Sequence, residues 1–90
     1  MEREIVMKKR RVRAGEDLML SYTLSKRSER GLVLYSLLIE ESFGEQSEFV
    51  FLDALTDDAE RAAELFSLFA DETVTPCTAE DVLQEIFYAP

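Results

Sequence analysis

Few side chains in this chain have both the type and the setting for chemistry. Cys77 precedes a helix that the sequence predicts from about Thr78, and the free N–H groups of a helix N-terminus stabilise a thiolate. Glu80 and Asp81 stand beside it, negative neighbours raise a thiol pKa, and no base can be named for it, so Cys77 reads as a semi-buried structural thiol. The carboxylate pairs Glu40-Glu41, Asp57-Asp58 and Glu80-Asp81 are adjacent in sequence. Adjacent residues of a strand point to opposite faces, and the helical pairs are first-turn residues that suit the helix dipole. Ser36 is unpartnered, and Tyr22 and Tyr35 read as core or sheet-face residues. The chain has no His, which removes Ser-His-Asp and Cys-His nucleophiles, a His base and the ordinary zinc site. Its three glycines are scattered, so none builds a phosphate-cradling loop. The expectation is a protein that is not an enzyme and holds no cofactor and no metal.

The remaining chemistry is charge. Residues 1–14 carry six basic and two acidic side chains, while residues 15–90 carry four and seventeen, giving +4 on the first segment and −13 on the second. Lys8, Lys9, Arg10, Arg11 and Arg13 form the only basic cluster, and clustered cations bind polyanions by releasing counterions. No aromatic residue is interleaved to stack on bases, and the acidic remainder repels nucleic acid. The segment therefore reads first as an edge strand whose charges block edge-to-edge aggregation. The alternatives are a polyanion-contacting arm, making the protein a nucleic-acid-associated factor, or an arm docked on the protein's own acidic body.

The elements that would position these residues follow from periodicity. Leu32–Glu41 is apolar in both parities and bounded by Gly31 and Phe43-Gly44, which predicts a central strand buried on both faces. Leu18–Lys26 alternates as a half-buried strand, Arg27–Gly31 is a polar hairpin loop, and Ser47–Asp53 is a third strand after a tight turn. A helix begins at Ala59, capped by Thr56 or Asp57, with an apolar stripe of Ala62, Ala63, Leu65, Phe66, Phe69 and Ala70. Asp57 and Arg61 would pair across one helical turn, and Leu68 lies outside the stripe. Pro76 ends that segment, and Thr78 with Asp81 would cap a second helix carrying Ala79, Val82, Leu83, Ile86 and Phe87. The fold class is α+β: a three- to four-stranded antiparallel β-meander followed by two C-terminal helices packed on one face. Residues 1–14 form the basic arm or edge strand, with residues 3–12 as the optional fourth strand, and residues 15–90 form a single domain. The predicted core is Val33, Tyr35, Leu37, Ile39, Val50, Leu52, Ala62, Phe66, Phe69, Val82, Leu83 and Ile86.

The meander, the capped helix, Val74-Thr75-Pro76 and the helix around Asp81-Val82-Leu83 resemble a family of small uncharacterised bacterial proteins, a domain of unknown function found chiefly in anaerobic Gram-positive bacteria. The resemblance spans about residues 18–88, is most specific over Val74–Phe87 and excludes the basic arm. It implies the α+β fold and carries no activity.

Two short helices cover only one side of a meander. If Gly44–Glu45 is a two-residue loop, Leu37 pairs with Leu52 and Ile39 with Val50, leaving Leu34, Leu38, Phe49 and Phe51 on the reverse face. Contiguous apolar surface of this kind marks an interaction site. The expected function is a non-enzymatic protein-interaction or regulatory module, self-associating as a homodimer through these residues and Leu68, with a small-ligand-binding domain as a further alternative. A single Cys suits a reducing compartment, and neither a membrane-spanning run nor a signal peptide is expected, so the expected location is cytoplasmic without membrane contact.

Overall fold

The structure, a computed structural model, describes residues 3–13 and 17–88, apart from the side chains of Arg13 and Tyr88. The sequence predicts a turn over Ala14-Gly15-Glu16-Asp17 and a tail at Tyr88-Ala89-Pro90, of which residues 14–16 and 89–90 lie outside the described residues. Four strands, β1 (Glu4–Arg13), β2 (Leu18–Glu29), β3 (Leu32–Phe43) and β4 (Gln46–Thr56), are followed by α1 (Ala59–Asp71) and α2 (Ala79–Tyr88). The strands form one antiparallel sheet in the order β1-β2-β3-β4. Residues 4–13 are thus one of the two edge strands of the sheet.

Turn chemistry sets the register. Arg30 and Gly31 both take positive φ (51° and 82°), the pattern of a type I′ hairpin, so the loop shrinks to two residues and Arg27–Glu29 join β2. At the next hairpin Gly44 has φ 60°. This too is a two-residue loop, and it pairs Leu37 with Leu52 and Ile39 with Val50 as the sequence predicts. Beyond Leu37 the β3–β4 register shifts, and Tyr35 meets Thr56. Ala54, at φ 50°, lies in the β4 segment that the shift accommodates.

One face of the sheet is covered by the helices. Leu20, Tyr22 and Leu24 of β2, Tyr35, Leu37 and Ile39 of β3, and Leu52 of β4 pack with Ala62, Leu65, Phe66, Phe69 and Ala70 of α1. Val74 and Ala79 close the same core, while Val50, Val82, Leu83 and Ile86 reach it half-buried. Val33 is the exception to the predicted core: it is exposed. A 13-residue helix spans about 20 Å and a 12-residue strand about 40 Å, so the far end of the β2–β3 hairpin projects past the helical layer. β3 is central but not buried on both faces either. On its reverse side Leu32 is exposed and Leu34 and Leu38 are only half-buried.

The helix ends differ in detail from the sequence expectation. Asp58, rather than Thr56 or Asp57, caps α1, its carboxylate accepting from the N–H groups of Glu60 and Arg61 at 2.9 and 3.3 Å. Arg61 meets Glu64 at 3.4 Å instead of Asp57. The C-terminus of α1 closes with Val74 N–H donating to Phe69 O (3.0 Å) and Thr73 N–H to Ala70 O (3.2 Å), the two bonds of a Schellman motif. Thr78 precedes α2, but its hydroxyl turns back to accept from Thr75 N–H at 3.3 Å rather than capping the helix with Asp81.

Candidate functional site: the open sheet face

Alternation along each strand divides the sheet into two chemically different faces. The register places Lys8, Thr23, Leu38 and Phe51 in one transverse row across the uncovered face. Arg10, Ser21, Glu40 and Phe49 form the next row, and Val12, Met19, Ser42 and Ser47 the one after. In the first two rows bulk is concentrated on the β3–β4 side and small polar or cationic side chains on the β1–β2 side, and the third row reverses this with Val12 and Met19 beside Ser42 and Ser47. Phe49 is 72% exposed and Phe51 39%. The sequence therefore places Leu34, Leu38, Phe49 and Phe51 on one uncovered surface. Leu68 does not belong there: it sits on α1 in a groove with Val74, Val82 and Ile86, on the helical side of the sheet.

A polar network anchors one end of this face. Ser36 is fully buried and not unpartnered: its hydroxyl donates to Asp53 Oδ1 at 2.8 Å and accepts from Ala54 N–H at 3.0 Å. Arg27 pairs with Asp53 and, at 3.3 Å, with Glu29. The Arg27 bond, followed by that from Ser36, holds the Asp53 carboxyl below its ordinary value. Arg3 reaches in from the start of the arm, 3.4 Å from Ser25 Oγ, with its guanidinium 4.6 Å over the Phe51 ring. This cation–π contact shows how the aromatic half of the face accepts a cation. Sequence reasoning missed the network because Ser36, Asp53 and Arg27 are distant in sequence. The available signal was Asp53 closing the strand predicted over Ser47–Asp53, opposite a Ser in an otherwise apolar strand.

The cationic run does not form one patch. Lys9 and Arg11 point to the helical side, where Lys9 Nζ lies 3.4 Å from Asp71 and Arg11 Nε donates to Ala70 O at 3.1 Å. Cations at the carboxyl end of a helix oppose its dipole favourably, so this part of the arm docks on the protein itself. Lys8 and Arg10 face the open side, exposed. The side chain of Arg13 lies outside the described residues.

Cys77 is exposed rather than semi-buried. Its thiol donates to Glu48 at 3.6 Å, and this bond, with the charges of Glu48 and Glu41, raises its pKa. The cause differs from the Glu80 and Asp81 expected from sequence, because β4 brings Glu48 to the thiol. Among the described residues no three His, Cys, Asp or Glu side chains gather as a metal site, and no helix is long and apolar enough to cross a membrane.

Fold and surface together define a small α+β domain: a four-stranded antiparallel meander with both helices on one face and the other face open. The chain belongs to a family of unknown function (DUF6514), which matches residues 1–89. The match takes in the basic strand, which the sequence resemblance had left outside. Neither the curated proteins nor the solved structures yield a match.

Proposed function

We propose that this protein is a non-enzymatic interaction module that presents the open face of its sheet to a protein partner. The observation that carries the reading is the uncovered aromatic and aliphatic half of that face, with Phe49 72% exposed on a regular strand. Burying a Phe or Leu side chain contributes about 1.5–3 kcal/mol, so Phe49, Phe51, Leu34 and Leu38 supply the apolar centre of an interface. The strands hold these side chains in fixed register, so little ordering is required on binding. The cations of β1 favour this reading over polyanion binding, since Lys9 and Arg11 are engaged by α1. The lone, exposed Cys77 suits a reducing, cytoplasmic setting.

The test is affinity capture with wild-type protein and Phe49→Glu as parallel baits. Proteins retained by the first and lost by the second, a second copy of the chain included, support the reading. Identical captured sets overturn it. Circular dichroism of Phe49→Glu checks that a change at so exposed a position leaves the domain folded.

A further inference from the structure

We infer that the partner on the open face is a second copy of this chain, packed about a twofold axis that runs parallel to the strands between β2 and β3. The inference rests on the open face being a docking surface and adds the identity and orientation of its occupant. Two stacked copies of a four-stranded sheet can be related by a twofold axis in the interface either along or across the strands. The axis across the strands lays β1 on β1 and β4 on β4, so Lys8 and Arg10 meet their own kind while Phe49 and Phe51 stack on Phe. The axis along the strands lays β1 on the partner's β4 and β2 on its β3.

The transverse rows make this second arrangement self-complementary. A row keeps its height along the axis and is reversed in the partner. In the first row Lys8 then faces Phe51 and Thr23 faces Leu38, each contact occurring twice. In the second, Arg10 faces the open Phe49 ring and Ser21 faces Glu40. In the third, Val12 faces Ser47 and Met19 faces Ser42. In these three rows each pairing sets a large side chain on a small one or a cation on a ring, with Glu40 beside the incoming Arg10; the row of Ile5, Ser25 and Ser36 nearer the β2–β3 hairpin lies outside this pattern. Phe51 already carries Arg3 of its own copy over its ring, so the open acceptor for an incoming cation is Phe49, in the second row.

The area is of the right order. Four strands of about eleven residues bound a face of roughly 19 by 36 Å, at most about 700 Å² per copy and 1,400 Å² in all with the Ser25–Ser36 end already buried, against the roughly 1,200–2,000 Å² of a standard interface. The natural twist turns the two sheets by about 30° relative to each other and trims the corners, leaving the central rows in contact.

Gel filtration with light scattering at about 100 μM should give twice the 10.3 kDa chain mass. Phe49→Glu should raise the dissociation constant at least tenfold. The axis is tested by crosslinking in a Cys77→Ser background, with Val12→Cys and Ser47→Cys on separate chains that are then mixed. Facing backbones of stacked sheets lie about 10 Å apart, beyond the roughly 7 Å that a disulfide spans, so a short bismaleimide is the reagent. Crosslinked Val12→Cys/Ser47→Cys heterodimers, with Val12→Cys chains failing to link to each other, are expected. Val12→Cys homodimers would overturn the proposed axis. A monomeric wild-type mass would overturn the second-copy inference, while Phe49-dependent capture of another protein would leave the docking-face reading standing. A dimer indifferent to Phe49→Glu would overturn both.

Discussion

Thr73 offers a direct test of the local energetics, because it occupies a position that favours glycine. It follows the C-cap of α1 at φ 48°, where the left-handed conformation allows Val74 and Thr73 to return their N–H groups to Phe69 and Ala70. A β-branched residue there costs about 1–2 kcal/mol from Cβ crowding. Replacement by Gly removes that cost but adds about 0.5–1 kcal/mol of unfolded-state entropy. It also deletes the exposed bond from Thr73 Oγ1 to Glu72 O at 2.7 Å, whose net contribution in water is small. The balance favours Thr73→Gly by about 0.5–1 kcal/mol, which at 4–8 °C per kcal/mol for a domain this size raises the Tm by about 2–8 °C. Thr73→Ala keeps the Cβ and should not stabilise. Both variants should be melted at one fixed protein concentration, since the proposed self-association would make the Tm concentration-dependent. A Thr73→Gly Tm at or below that of Thr73→Ala would show that the Schellman geometry, or the strain assigned to it, is wrong.

Three further outcomes follow from the packing and charges. Phe66, 4% exposed, anchors α1 on the sheet, and Phe66→Ala should cost about 3–5 kcal/mol in urea denaturation; an unchanged midpoint would mean that α1 presents another face. The depressed pKa of Asp53 means that its carboxylate contributes stability above the ordinary carboxylate range and loses it as pH falls through the lower folded value, so the difference in urea midpoint between wild type and Asp53→Asn should be largest near neutrality and shrink in acid. A gap independent of pH would refute the ionic role. Arg11→Met removes the cation from the carboxyl end of α1 and should cost about 0.3–1 kcal/mol at low salt and less at 0.15 M, by the same measurement; equal loss at both would point to packing by the side-chain stem instead.

The strands were legible in the sequence because alternation and turn chemistry point the same way. Leu18, Leu20, Tyr22 and Leu24 share one parity, Gly31 and Gly44 supply positive φ, and the Gly44–Glu45 loop then dictates the pairing of Leu37 with Leu52. The stripe on α1 was legible for the same reason, with Ala62, Leu65, Phe66, Phe69 and Ala70 all buried. Interactions that depend on the third dimension were not legible. Spacing puts Leu68 on the first helix and Phe49 on the reverse face of the sheet, but it does not show that Leu68 borders a groove with Val74, Val82 and Ile86 instead of joining the Phe49 surface. Cys77 meets Glu48, a residue 29 positions away, only because α2 begins against β4. Asp58 displaces Asp57 as the cap because adjacent acidic residues satisfy the same rule, and backbone geometry decides between them.

The parity of the basic run links the fold to its proposed use. In an extended strand consecutive cations alternate between faces, so one segment performs two tasks. Lys9 and Arg11 fasten the edge strand to the carboxyl end of α1, and Lys8 and Arg10 remain on the open side. A helix in the same place would have gathered its cations along one stripe only at every third or fourth residue. A wholly apolar β1 would have left an edge prone to open-ended pairing. The alternating run instead protects the edge and gives the open face a cationic border opposite its aromatic one. That asymmetry would separate the two stacking axes of the proposed pair: one sets like charges together and the other sets cations on rings, and either closes on itself as a twofold dimer.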